Sequence, residues 1–229
     1  GVAGAELQTQ RAQVIGYAMV QNPNDTAGYY IVGAMRSNQY YKTYTSTLFT
    51  DWTLSLPADL SFTAGVRLST MNIDLNNRMY SSGSTLPTRY TQSYNGMWSP
   101  RLAVNKLLNK HVSVYLSYSK GYKAPTSSYF FIPATGALNS GLKPEIGNQV
   151  ELGTKGSLLK NRLYYELALF NAIFSDKMTA IAVPLNNTTT AYTYVANGGK
   201  QKDKGIELLL KYTAYQSAGG FFRSIRPFG

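Results

Sequence analysis

The chain has 229 residues, 19 Tyr, no Cys, one His and a formal net charge of +11. The absence of Cys excludes disulfides and thiolate metal centres, and a lone His has no second soft ligand to join it. Charged residues make up 14%, against roughly 25% in ordinary soluble domains, yet the mean hydropathy is only -0.22.

Few charges, many Tyr and Thr, and modest hydropathy suit strands with one apolar and one polar face. No run approaches the ~18 apolar residues of a membrane-crossing helix, which leaves crossing by strands open. The positive charge fits either a fragment whose acidic parts lie elsewhere or attraction to a phosphate-bearing surface or anionic ligand. Gly1 to Val20 has neither the basic start nor the apolar core of a secretory leader, so a preceding segment is expected.

In chain order, Ala5 to Val20 predicts a weakly alternating strand, and Gln21 to Gln39 reads as a loop with Asn-Pro and Asn-Asp turn chemistry. Tyr41 to Leu56 alternates well, with Leu48, Trp52, Leu54 and Leu56 on one side and Thr residues on the other. After a tight turn at 57–59, Leu60, Phe62, Ala64, Val66 and Leu68 oppose Ser61, Thr63, Gly65, Arg67 and Ser69. Past Thr70 the apolar phase slips to Met71, Ile73 and Leu75, which a bulge would produce. A strand leaving an apolar layer would produce it too. Tyr80 to Arg89 is a loop, and Tyr90 to Val104 reads as one strand with Tyr90, Tyr94, Trp98, Leu102 and Val104 in phase. A short turn at 105–110 leads to a strand over His111 to Tyr122, then a loop from Lys123 to Glu145, then a strand over Ile146 to Gly156. Beyond the turn at 157–161, strands run from Leu163 and over Ala191 to Thr213, separated by the loop Pro184 to Thr190. Asn197-Gly198-Gly199 predicts a bulge in the latter. A turn at 216–220 precedes a last strand from Phe221, giving about nine strands.

Short turns (57–59, 105–110, 157–161, 216–220) alternate with long loops (21–40, 80–89, 123–145, 184–190). An all-β, antiparallel up-and-down meander with tight turns at one end gives this pattern. Outer-membrane barrels have that asymmetry, whereas soluble sandwiches use Greek-key crossovers. The faces Leu60/Phe62/Val66/Leu68, Val112/Val114/Leu116/Tyr118 and Ile206/Leu208/Leu210/Tyr212 carry no charge and are expected to meet lipid.

SYSKGYKAPT (Ser117 to Thr126), LKPEIGNQVELGTKG (Leu142 to Gly156) and NGGKQKDKGIELLLKY (Asn197 to Tyr212) resemble the barrel signatures of TonB-dependent outer-membrane receptors. WSPRLAV (Trp98 to Val104) fits the segment that precedes them. The resemblance implies a transmembrane barrel of about 22 strands. Residues 1–229 would then be a fragment of it, without the plug domain and the C-terminal strands. It implies an outer-membrane location in Gram-negative bacteria. It implies a receptor of the ferric-siderophore type, which takes up its chelate by binding and gated transport and is not an enzyme. The expected partners are a ferric chelate, the TonB system through the plug, and outer-membrane lipid, with the receptor a monomer and no resident cofactor or metal. Cobalamin, an oligosaccharide, or a soluble Tyr-rich binding module are the alternatives. No nucleic-acid motif accompanies the positive charge.

Site residues follow from strand phase and loop position. Tyr40, Tyr41, Tyr80, Arg89, Lys123, Tyr129 and Phe130 are expected on the outer loops, where aromatic and cationic groups suit aromatic or anionic chelates; loop packing is the plainer role for each. Arg67, Arg101, Glu151, Lys155, Glu207 and Lys211 are expected to face the lumen. Lumen ion pairing, within the barrel or to the plug, is the expectation for Glu151 and Glu207, in place of a hydrolytic carboxylate pair. His111 is expected as a solvated turn residue, and Glu145 as an anchor of the long loop.

Overall fold

Alternating side chains sort onto two faces along eight long strands. The computed structural model describes residues 1–24, 27–79, 88–132, 134–216, 224–225 and 227–228. The chain runs through β1 (Val2–Gln21), β2 (Tyr30–Leu56), β3 (Leu60–Asn77), β4 (Arg89–Asn109) and β5 (Val112–Lys123). A 3-10 turn (Ser127–Phe130) and the small ribbon β6 (Phe131–Ile132) with β7 (Ala137–Leu138) follow. Then come β8 (Glu145–Leu158), β9 (Leu163–Pro184), β10 (Thr190–Tyr212) and a second ribbon, β11 (Tyr215–Gln216) with β12 (Ser224–Ile225). The long strands form one sheet in the order β1-β2-β3-β4-β5-β8-β9-β10, every neighbouring pair antiparallel. This curled half-barrel is the expected meander.

The expected count of about nine strands becomes eight in the sheet. The last strand, expected from Phe221, falls mostly outside the described residues, and Ser224–Ile225 pairs back onto Tyr215–Gln216. The loop expected over 21–40 is also corrected: β1 and β2 continue through most of it, leaving a connection at 22–29. Short and long connections still alternate. The first short turn places Ala58 and Asp59 at φ 62° and 56°, the left-handed pair that tight hairpins require.

One apolar row crosses seven strands through direct cross-strand partners: Leu54, Phe62, Val104, Leu116, Leu152, Leu169 and Ile206. All seven project from the outer face and are exposed there. An uncharged row of this length has no covering partner among the described residues, and lipid is the medium that matches it. The top of this belt sits at Leu48, Leu68 and Trp98 on β2 to β4. It descends to Tyr118 and Val150 on β5 and β8, and to Leu169 and Ile206 on β9 and β10.

Above the belt the strands continue and the apolar side inverts. Tyr41, Ile73 and Leu75 are buried on the inner face. No register shift interrupts the β2–β3 ladder, so the phase slip after Thr70 marks a strand leaving lipid and is not a bulge in β3. The bulge lies on β4: Ser69 pairs with Met97 but Met71 pairs with Tyr94, and Gly96 takes φ +70°. An extra residue there turns Tyr90 and Tyr94 inward while Trp98, Leu102 and Val104 stay outward. The expected single phase over 90–104 is thereby corrected. The Asn197–Gly199 bulge in β10 is present as expected.

Glycines on the inner face lie beneath cross-strand aromatic rings. Gly153 pairs with Tyr115 and Gly205 with Phe170. A Cβ on Gly153 would meet the Tyr115 ring at 2.3 Å, and one on Gly205 the Phe170 ring at 2.5 Å. The ring covers the backbone that glycine leaves bare.

Candidate functional site: a strap across the inner face

Residues 124–144, between β5 and β8, fold back over the inner face beyond the membrane belt. Phe130 and Phe131 are buried against Tyr41, Ile73, Leu75, Tyr94 and Met97 of β2 to β4. Tyr94 and Phe130 stand 5.9 Å apart at a tilted angle, a favourable aromatic geometry. The Tyr94 hydroxyl donates to the Leu142 carbonyl at 3.0 Å. Burial pushes the Tyr94 and Tyr41 phenols up to about 12, so Tyr94 remains a donor throughout the neutral range.

The other end of the strap is tied to the far side of the sheet. The Asn139 side-chain amide donates to the carbonyls of Val195 (2.5 Å) and Tyr129 (3.1 Å). Lys143 N–H donates to Asn197 Oδ1 at 2.7 Å, and Asn197 Nδ2 donates to the Lys143 carbonyl at 2.9 Å and the Asp176 carbonyl at 2.6 Å. Glu145 anchors the loop end as expected: its Oε1 accepts from Met178 N–H at 2.6 Å, and its Oε2 lies 3.6 Å from Lys123 Nζ. The strap thus reaches from β2–β4 to β10, strands at opposite ends of the sheet order.

Two grooves lie beside it. One, about 310 Å³, is lined by Gly121, Tyr122, Lys123, Glu145, Gly147 and Phe174. The other, about 440 Å³, includes Glu6, Thr45, Arg67, Ser99, Gly121 and Tyr122. Arg67 lies 3.9 Å from Glu6 and above the Phe49 ring at 5.9 Å from its centroid. The glycines at 121 and 147 are cross-strand partners and leave floor space that side chains would fill.

The expected outer-loop residues separate into two groups. Tyr41 and Phe130 are packed in the strap cluster, only 3% exposed each, instead of standing on exposed loops. Lys123 and Tyr129 flank the strap, with Tyr129 exposed. Tyr40 lies beneath Arg78, whose guanidinium is 4.4 Å from the ring centroid. Arg89 donates twice to Asp74, at 2.9 Å and 2.6 Å, and holds that carboxyl below its ordinary range. Tyr80 lies outside the described residues.

Arg67, Arg101, Glu151, Lys155, Glu207 and Lys211 share the inner-face alternation, as their pairing partners show. Within the chain Glu151 is held by neutral donors, Tyr115 Oη at 2.7 Å and Gln149 Nε2 at 3.0 Å. Lys211 Nζ lies over the Tyr164 ring. Ion pairs among the described residues join Arg67 to Glu6, Arg89 to Asp74 and Lys123 to Glu145, so the pairing expected at Glu151 and Glu207 is not formed among those residues. The phenol and amide already occupy the Glu151 oxygens.

Asn139, Asn197 and Tyr94 were not among the expected site residues. Asn197 heads one of the recognised segments and Lys143 lies in another, so the two motifs meet in space.

Residues 1–225 match the family described as "TonB dependent receptor-like, beta-barrel". The chain belongs to this family, whose barrels sit in the outer membrane of Gram-negative bacteria and whose members are transporters, not enzymes. The fold is similar to the ferric-catecholate import receptor Fiu from E. coli K12 in its closed form, with TM-score 0.61 and 18% identity over 93% of this chain and 33% of that one. It is similar to the pyoverdine receptor FpvA from Pseudomonas aeruginosa PAO1, with TM-score 0.61 and 22% identity over 91% of this chain and 29% of that one. It is also similar to the copper transporter OprC, with TM-score 0.64 and 12% identity over 93% of this chain and 32% of that one. The chain therefore spans about a third of the length of these solved proteins.

Proposed function

We propose that this chain is barrel wall from a receptor that binds a ferric siderophore or related iron chelate and moves it inward by gated transport energised through TonB. In this reading residues 1–229 are barrel throughout, and a plug with its TonB contact and further strands belong to the remainder of the receptor.

The observation that carries the reading is the strap, tied to β10 by side-chain amides and seated on β2–β4 by two aromatic rings. A segment held over an inner groove by such contacts suits a mouth that closes on a bound ligand. Tyr122, Phe174, Lys123 and Arg67 border the grooves and offer stacking and positive charge to an anionic aromatic chelate. Iron is cargo here, arriving inside its chelator.

The test is uptake by iron-starved cells in which the full-length receptor is the sole receptor of its kind, with and without TonB. Radiolabelled ferric catecholate and ferric hydroxamate are offered beside labelled cobalamin. TonB-dependent accumulation of a ferric chelate is the expected result. Accumulation of cobalamin with no iron uptake would overturn the ligand class.

A further inference from the structure

The outer face becomes cationic where the apolar belt ends. On β10 the outward run Leu210, Leu208, Ile206 gives way to Lys204, Lys202 and Lys200 toward the long-loop end. The intervening residues turn inward, where Gln201 Nε2 donates to Asp203 at 3.0 Å and 2.8 Å and Gln201 Oε1 accepts from Lys177 at 2.7 Å. All three outward lysines are exposed, and none makes an ion pair among the described residues. Their outward neighbours Asn171, Ile173 and Asn148 carry no charge. Lys120 on β5 ends the row that begins at Lys202 and passes through Ile173 and Asn148.

Three strand spacings put Lys120 about 14 Å from Lys202, and alternate residues on β10 are about 7 Å apart. Lys204 and Lys120 stand one outward position above the lipid-facing belt, at headgroup depth, and Lys202 and Lys200 continue the row outward; phosphate attracts such cations over a screening length. Long loops mark the external side of such barrels. We propose that Lys200, Lys202 and Lys204, with Lys120, bind the phosphate groups of an outer-leaflet lipid. The inference rests on the outer-membrane setting and not on which ligand is transported.

The full-length receptor, purified in zwitterionic detergent, is titrated with diphosphoryl lipid A and with its dephosphorylated form, and bound lipid is counted by native mass spectrometry. Lys200→Gln/Lys202→Gln/Lys204→Gln is compared with Lys110→Gln/Lys160→Gln at the opposite, short-turn end. At least a roughly tenfold loss of diphosphoryl lipid A binding is expected in the triple variant alone, and similarly weak binding of the dephosphorylated lipid by the unaltered receptor. Equal binding by the triple variant, equal binding of the dephosphorylated lipid, or an equal loss in the short-turn variant would overturn the proposal. If the triple variant does not fold, Lys202→Gln and Lys204→Gln singly should each lose roughly two- to fivefold, and singles that match the unaltered receptor overturn the proposal equally.

Discussion

Asn197 and Lys143, 54 residues apart, are joined by two hydrogen bonds: the Lys143 N–H donates to Asn197 Oδ1 at 2.7 Å and Asn197 Nδ2 donates to the Lys143 carbonyl at 2.9 Å. The side-chain amide stands in for a strand neighbour, giving the end of the strap a ladder partner that no strand supplies. Asn197→Ala removes both bonds and strands the Asp176 carbonyl as well. A local destabilisation of about 1–3 kcal/mol is expected. Hydrogen exchange at the Lys143 amide should rise while exchange in the membrane-spanning part of β9 stays unchanged. Unchanged protection at Lys143 would count against the clamp.

Phe130 closes the opposite end of the strap. Phe130→Ala should cost about 3–5 kcal/mol of strap stability, seen as faster proteolysis within 124–144. The same variant has a spectroscopic signature. Tyr94 and Tyr41 ionise at about 12 because they are buried. A raised folded pKa gives stability that is complete below the ordinary Tyr value of about 10 and is lost as pH rises through the folded value. Releasing Phe130 should bring the tyrosinate absorbance of both residues down toward the ordinary range. An unaltered alkaline titration would show that the cluster does not depend on Phe130.

Arg89 and Asp74 predict the opposite pH dependence. The bidentate hydrogen bond and charge of Arg89 lower the Asp74 pKa. Its contribution is therefore complete above the ordinary value of 3.8 and disappears as pH falls through the lowered folded value. Comparing urea midpoints of the unaltered chain and Asp74→Asn across acidic pH checks this. The difference should be small near neutrality, since the pair is solvent-screened, and should vanish in strong acid.

Gly205 lies beneath the Phe170 ring. Gly205→Val should destabilise the sheet by about 1–3 kcal/mol through overpacking, read from thermal unfolding. Combining it with Phe170→Ala should recover part of that loss, because the clash partner is gone. Strictly additive losses in the double variant would rule out the ring-over-glycine account.

The lipid-facing row makes a directional prediction. Leu116→Arg should cost about 2–4 kcal/mol of barrel stability in a bilayer. Ser117→Arg, the next residue and inward-facing, should cost less than half as much. Equal costs measured by unfolding from vesicles would contradict the assignment of faces.

The part of the fold in lipid was legible because one face must stay apolar on every strand. Leu60 to Leu68 and Ile206 to Tyr212 announce that face by simple alternation. Above the belt the constraint reverses, since Tyr41, Ile73 and Leu75 are buried by a loop from elsewhere in the chain. Alternation then conflicts with the membrane phase, which reads as a slip after Thr70, while residues 21–40 read as loop because the Asn-Pro and Asn-Asp turn chemistry belongs only to the connection at 22–29. Gly96 hides a bulge that only its φ and the register reveal. The strap's attachments were illegible for a different reason. Asn139 and Asn197 bind backbone carbonyls, and any sequence supplies those; their partners depend on how far the sheet curls.

The descending upper edge of the belt fixes the attitude of the sheet to the bilayer. That edge falls by about one residue per strand between Leu48 on β2 and Ile206 on β10. One residue is about 3.3 Å along a strand, and the next strand is about 4.8 Å away. If the lipid boundary is level, the strands lean roughly 35° from the membrane normal, within the range of closed outer-membrane barrels. A strand of 27 residues such as β2 then climbs about 70 Å, several times the ~25 Å apolar band. The sheet is therefore a tall palisade that rises well beyond the bilayer, and the strap closes its space from Met97, next to Trp98 at the edge of the lipid belt, outward.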